Sequence, residues 1–291
     1  MTTAAARYRP IMTSGGLPAT HAVTAFDEYG QPQRTQIAAE NPLTLYVDKR
    51  EVVTLMTLGT HPELLALGYL RNQRLVSELQ DIVSVQVDWD VNAVVVTTRR
   101  GTADWDERLA RRTVTTGCGQ GTVFGRIMEE LDELRLPQVP LRQSMIYGLL
   151  KNLHAYNEVY RNAGAVHGCA LCAGTEILSF VEDVGRHNAV DAIAGQMWLE
   201  EIAGEDKVFY TTGRLTSEMV IKVAQMRIPA LLSRSGVTKM GLELAQKVGV
   251  TLIARAKGRH FLAFHGAENI LHDEMPPPRP LGTGARPAEH D

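Results

Sequence analysis

Cysteine is scarce in this chain. Only Cys118, Cys169 and Cys172 occur in 291 residues. So small and odd a set excludes a disulfide framework. It fits a reducing compartment, where an unusual cysteine is catalytic, metal-binding or redox-active. Long apolar runs are also lacking, and no stretch approaches the roughly 20 residues needed to cross a bilayer. Arg7 and Arg9 are not followed by an apolar run, so the N-terminus does not read as a secretory signal. Neither charge is in excess: 30 Lys+Arg against 33 Asp+Glu leaves −3. That balance excludes a uniformly basic nucleic-acid binder and an acidic disordered chain. The expectation is a cytoplasmic protein whose partners include no nucleic acid and no membrane. The motifs G-x-G-x-x-G and G-x-x-x-x-G-K-[ST] are absent, so the common dinucleotide and P-loop sites have no support.

What is present is an ordinary globular composition, with 44% hydrophobic residues. The length suggests about two domains at ~150 residues each. Residues 1–20 and 272–291 read as flexible ends. The second of these holds five of the 13 prolines, too many to fold into a core. Residues 21–138 read as a strand-rich α+β domain. Leu43 to Val47 alternates and Val52 to Met56 is a short apolar run. Asp81 to Asp88 and Ala93 to Thr98 flank a turn at Trp89 to Asn92, which predicts a hairpin. Pro62 opens a helix that runs to about Asn72. Pro137 and Pro140 mark a boundary.

From 139 to 271 the pattern changes to α/β. Ile146, Leu149, Leu150 and Leu153 keep helical spacing. Strand-like runs at Ile177–Val181, Val208–Thr211, Ala230–Ser233, Thr251–Ala254 and Phe261–Phe264 alternate with helical stretches. Such alternation predicts a mixed, mostly parallel sheet.

Three of these strands end in a small residue beside an arginine: Gly185-Arg186, Gly213-Arg214 and Ser233-Arg234-Ser235. Arg255, Ala256, Lys257, Gly258, Arg259 and His260 form a fourth, less regular end. Loops after the carboxyl ends of parallel strands share one edge, where ligands bind. Glycine lets backbone approach a ligand, helix N-termini attract anions, and arginine matches phosphate geometry. A phosphorylated, nucleotide-containing ligand is expected there. His187 either caps the helix start or contacts that ligand. Asp191, one turn on, is placed to orient it.

Cys118 lies in Thr115-Thr116-Gly117-Cys118-Gly119-Gln120-Gly121-Thr122. Three glycines make an unhindered loop, and Arg111 and Arg112 upstream favour a thiolate. Such a thiolate is a nucleophile or sulfur carrier; otherwise Cys118 is structural. Cys169 and Cys172 form a C-x-x-C after His167. They read as buried thiols, as a redox pair, or as half of a metal site. No second pair closes a zinc site, and the H-x-E…P-C-x-x-C signature of zinc deaminases is missing. No metal is expected.

Glu182-Asp183-Val184-Gly185-Arg186-His187-Asn188-Ala189-Val190-Asp191 closely resembles the signature of the FdhD/NarQ family of formate dehydrogenase accessory proteins. Thr212 to Val220 and Pro229 to Ser235 resemble its next blocks. Glu40-Asn41-Pro42-Leu43 and Thr57 to Gly68 resemble its early motifs. The likeness spans about residues 20 to 272. It implies a homodimeric sulfurtransferase with a cytidine deaminase-like three-layer C-terminal domain that lacks the zinc site. It implies that sulfur comes from a cysteine desulfurase as a persulfide on Cys118. The acceptor would be Mo-bis(molybdopterin guanine dinucleotide), needed by the formate dehydrogenase catalytic subunit. With the arginine edge, it implies that Arg186, His187, Asn188, Asp191, Gly213, Arg214, Ser217, Arg234, Ser235 and residues 255–260 bind that cargo. The family's sulfur loop usually reads C-G-x-C-G. Gly121 stands where the second cysteine is expected, so a two-cysteine relay within this loop is impossible.

Overall fold

The computed structural model describes residues 7–102, 105, 113–114, 121–122, 131 and 133–276. In the first half these form β1 (Ile11–Met12), β2 (Thr20–Phe26), β3 (Pro32–Ala38), β4 (Asn41–Val47) and β5 (Arg50–Thr57). They are followed by α1 (Pro62–Asn72), β6 (Ile82–Asp88) and β7 (Ala93–Thr98). One sheet has the order β1-β6-β7-β4-β5, and β2 and β3 make a separate hairpin. Alternation builds the sheet's inner face: Leu43, Leu45 and Val47 are buried while Thr44 and Tyr46 are only partly so. The predicted hairpin is β6–β7, and Asn92 in its turn takes φ +52°, which asparagine tolerates better than most residues. Two short strands, β8 (Thr113–Val114) and β9 (Gly121–Thr122), pair antiparallel.

The second half runs β10 (Leu141–Arg142), α2 (Gln143–Leu153), α3 (Glu158–Ala163), β11 (His167–Ala173), β12 (Glu176–Asp183) and α4 (Arg186–Leu199). It continues with β13 (Val208–Thr211), α5 (Ser217–Gln225), β14 (Ala230–Ser233) and α6 (Lys239–Val248). It closes with β15 (Thr251–Lys257), β16 (His260–His265) and β17 (Ile270–Leu271). The sheet order is β12-β11-β13-β14-β15-β16. Only the β13–β14 and β14–β15 pairs are parallel; the other three are antiparallel. The sheet is therefore mixed but not mostly parallel. Tight turns at Gly174 (φ +58°) and Gly258 (φ +60°) join β11 to β12 and β15 to β16, and connections so short cannot cross over into parallel pairs.

Helices cover both faces of this sheet. Cys169, Leu171, Phe209, Leu231 and Leu252 share a core with α4, α5 and α6. Ala170, Cys172, Tyr210, Leu232 and Ile253 share another with α2. The first of these cores runs without a break into the first half. The seam is α1 against α4, where Gly68 and Gly195 face each other. A Cβ on Gly68 would lie 1.6 Å from the Asp191 carbonyl oxygen, and one on Gly195 would lie 2.0 Å from that of Leu64.

Both expected loose ends are partly fixed. Ile11–Met12 pairs with β6, and Thr13 Oγ1 and Gly15 N donate to Glu63 at the start of α1. Asp273 accepts from Ser144 N and Oγ at the start of α2. Residues 1–6 and 277–291 lie outside the described residues.

Candidate functional site

β12 is antiparallel to β11, and β11 to β13, so β12, β13, β14 and β15 all run the same way. Their ends at Asp183, Thr211, Ser233 and Lys257 therefore share one edge, which β11 enters at His167. The loops beyond them are tied into a rim. Ser233 Oγ donates to the Gly213 carbonyl (2.6 Å), Arg234 N to Thr211 (3.3 Å) and Arg255 N to Ser235 (2.9 Å). A bulge between Ala254 and Lys257 buries Ala256 and leaves Arg255 exposed at φ +51°. A non-glycine residue in that conformation is strained, and such strain concentrates at functional sites. Gly213, Arg214, Ser217 and Ser235 lie on this rim.

The start of α4 is used differently from the expectation. Asp183 accepts from Gly185 N and Asn188 Nδ2 with one oxygen, and from Thr57 Oγ1 and Leu58 N with the other. Asn188 also donates to the Met56 carbonyl. These bonds fasten the edge to the end of β5, and Asn188 faces that seam. Burial raises the Asp183 carboxyl, and the hydrogen bonds pull it back down.

Asp191 is wholly buried, bonded to Lys222 Nζ and Asn72 Nδ2 at 2.7 Å each. His187 instead approaches Glu218, at 3.4 Å. The expected His187–Asp191 pairing on the ligand side is thus replaced by a buried polar array between α4 and α5. The helix geometry explains this: one turn apart on α4, both side chains face α5.

Burial first, then the positive charges of Lys222 and Arg186, push the His187 ring down to about 2. It is neutral, and its approach to Glu218 is not an ion pair. The ordinary ring titrates near 6.5, so the unfolded chain takes up a proton there while the fold does not. Stability tied to His187 is complete above pH 6.5 and is lost as pH falls. The loss reaches about 2 kcal/mol at pH 5. Asp183 and Asp191 are raised by burial and act in the opposite direction. The comparison that isolates the ring is His187→Gln against wild type: its relative stability in urea should improve by about that amount between pH 7.5 and pH 5. An unchanged difference would refute the neutral buried ring.

Two adjoining cavities open on the α2 side of the edge. One of about 270 Å³ is lined by Tyr210, Arg234, Ala256, Lys257 and Gly258, and by His154, Asn157, Tyr160 and Arg161. The other, about 710 Å³, shares Leu150, His154 and Gly258 and adds Tyr147, Lys151, Arg259 and Glu274. Arg259 stacks over Tyr147 at 5.4 Å and pairs with Glu274. His260 opens β16 opposite Lys257. Rings and cations converging in a concave space suit a nucleotide. Sequence reasoning missed Tyr210, Tyr147, His154 and Arg161. They lie on a strand and in the α2–α3 region, and only the three-dimensional packing brings them to the edge. It also missed His167, whose Nδ1 is 3.4 Å from Thr212 Oγ1 and whose ring is lowered by burial, Arg186 and Arg214. A third cavity, about 470 Å³ beside Arg74, Gln225 and Arg227, lies at the far end of the strands, since these last two residues precede β14.

Cys118 lies outside the described residues, and its loop is flanked by the β8–β9 pair. Gly121, where a second cysteine was expected, is in β9 opposite Val114. Cys169 and Cys172 are buried on opposite faces of β11. They neither pair nor share a metal. Burial pushes both thiols up to about 12, which disfavours the thiolate form that thiol chemistry requires. Among the described residues, no group of three or more His, Cys, Asp and Glu is arranged to hold a metal ion. No described helix is long and apolar enough to cross a membrane.

Residues 38–271 match the model of the FdhD/NarQ family. A sulfur carrier protein FdhD of Listeria monocytogenes is 28% identical over 243 residues, 82% of this chain and 93% of that one. The protein of the same name from Geobacillus kaustophilus is 26% identical over 240 residues, 82% and 91% of the two chains. A crystal structure described as a formate dehydrogenase accessory protein, from Desulfotalea psychrophila, superposes with a TM-score of 0.68 at 26% identity. It covers 87% of this chain and 98% of its own.

Proposed function

The chain belongs to the FdhD/NarQ family, and on that premise we propose that it is a sulfurtransferase of formate dehydrogenase maturation with Cys118 as the persulfide carrier. The observation that carries this reading is the unequal fate of the three cysteines. Cys169 and Cys172 are sealed in the sheet, where burial pushes their thiols up to about 12 and disfavours the thiolate. Cys118 alone remains for chemistry, in a glycine-rich segment. Its thiolate attacks the outer sulfur of a persulfide on a cysteine desulfurase. The desulfurase S–S bond breaks, its cysteine leaves as a thiolate, and Cys118 holds the sulfane sulfur.

The acceptor is Mo-bis(molybdopterin guanine dinucleotide), which is cargo rather than resident cofactor. Its guanine nucleotide is held in the cavity at Tyr210, Arg234, Lys257, Gly258 and Arg259, with Gly213, Arg214, Ser217, Ser235 and Arg255 on its approach. The three-layer second half is deaminase-like in this reading. The protein is a cytoplasmic homodimer that also meets the formate dehydrogenase catalytic subunit. Gly121 favours one alternative: a chaperone that holds the cofactor without covalent chemistry.

Co-expression with a formate dehydrogenase, in a host lacking its own accessory protein, should restore dehydrogenase activity. No restoration, with the chain folded and abundant, would reject the maturation role. Replacing Arg234 and Lys257 together by alanine should weaken guanosine diphosphate binding by at least about 100-fold by calorimetry, since charge-assisted bonds contribute ~1.5–3 kcal/mol each. Unaltered affinity would move the nucleotide elsewhere.

A further inference from the structure

We propose that the other face of the same edge carries a second site, for a dianionic phosphoryl-type oxyanion, formed by Arg186, Thr216 and the first turn of α5. Arg186 is 5% exposed, and its Nε and Nη2 have no partner among the described residues. Thr216 is 8% exposed and its Oγ1 is likewise unpartnered. Buried donors left unmet cost about 1–3 kcal/mol each, so two residues in this state, at the starts of α4 and α5, need an explanation. Thr216 is the N-cap of α5, a nine-residue helix, yet its side chain accepts no bond from that helix. The first turn of α5 therefore keeps N–H groups that attract an anion.

A Cβ on Gly213 would lie 2.7 Å from Arg186 Cδ, so the arginine stem runs across the loop that leads into α5. Glycine at 213 is what permits that path. Arg214 adds to the positive field here: burial first, and then Arg186 and Arg214 among the nearby charges, hold the rings of His167 and His187 below their ordinary range. The one carboxylate on this turn, Glu218, has Lys222 3.8 Å away and faces the buried array. A guanidinium fork, a hydroxyl and helix N–H groups are the donor set that a phosphoryl group accepts.

This site lies across the rim from the nucleotide cavity, on the opposite face of the sheet. Tyr210 points into the α2 side of the sheet, whereas Thr211 Oγ1 sits beside Cys169 on the α4 side. The oxyanion is either the terminal phosphoryl of a nucleotide that reaches over the edge or a free anion.

The test is calorimetric titration of the full chain with inorganic phosphate, guanosine and guanosine diphosphate. Wild type, Arg186→Gln, Thr216→Val and the Arg234→Ala/Lys257→Ala double variant are compared. Phosphate should bind wild type and the double variant alike, and at least about tenfold more weakly to Arg186→Gln and Thr216→Val. If the anion is the nucleotide's own, those two variants weaken the diphosphate and leave guanosine unchanged. If it is free, phosphate and the diphosphate bind together to wild type. Phosphate binding equally to wild type and to folded Thr216→Val and Arg186→Gln would overturn the proposal. So would failure of wild type to bind phosphate, with diphosphate affinity indifferent to both substitutions. Loss of diphosphate binding only in the double variant bears on the cavity, so the two readings fail separately.

Discussion

Cys118→Ala is expected to reduce the activity of a co-expressed formate dehydrogenase to that of a strain without the protein, while guanosine diphosphate binding should be unchanged. The expected effect is total because, on the proposed function, the substitution removes the only atom that would bear the sulfur. No other thiol substitutes: Cys169 and Cys172 are fully buried, with thiols pushed up to about 12. Cys118→Ser should fail just as completely, since an oxygen at that position forms no persulfide. Retained maturation in either variant would favour the non-covalent chaperone. Loss of nucleotide binding as well would show that the substitution damaged more than the sulfur site.

The second large effect is on folding. Gly195→Ala places a methyl 2.0 Å from the Leu64 carbonyl oxygen and 2.9 Å from Gly68 N. Both neighbours are backbone of a packed helix, so no side-chain rotation relieves the clash. Relief requires α1 and α4 to separate, which opens the core shared by the two halves. The expected cost is about 3 kcal/mol or more, at the upper end of overpacking. That lowers the melting temperature by on the order of 10 °C. Gly68→Ala, 1.6 Å from the Asp191 carbonyl oxygen, should be at least as severe. Gly236→Ala is the control, because a Cβ there meets nothing within 4 Å. Equal melting of all three variants would refute the glycine seam.

Local patterns in the sequence were sufficient for most elements. Pro62 and the spacing of Leu64, Leu65, Leu67 and Leu70 predict α1, which spans Pro62–Asn72. Val208–Thr211 and Ala230–Ser233 stand as predicted, because short apolar runs bounded by glycine, proline and arginine leave little choice of boundary. Direction was not legible. Apolar content alone does not say whether β11 runs with β13 or against it, and the antiparallel β11 is what brings His167 to the arginine edge. The edge itself was readable, because Gly-Arg pairs follow strand ends. Its cavity wall was not, because Tyr210, His154 and Arg161 carry no local signal of meeting there. Asp191 and Asn188 looked like ligand contacts because they share a motif with Arg186. Packing makes them fastenings instead: Asp191 holds Lys222 and Asn72, and Asn188 holds Asp183 and Met56.

The central claim is that Cys118 carries sulfur. The most direct test is mass spectrometry of the full chain after incubation with a cysteine desulfurase and cysteine. The account predicts one added sulfur atom, mapped to the peptide that contains Cys118 and released by a reductant. An unmodified Cys118, or sulfur found only on Cys169 or Cys172, would contradict it.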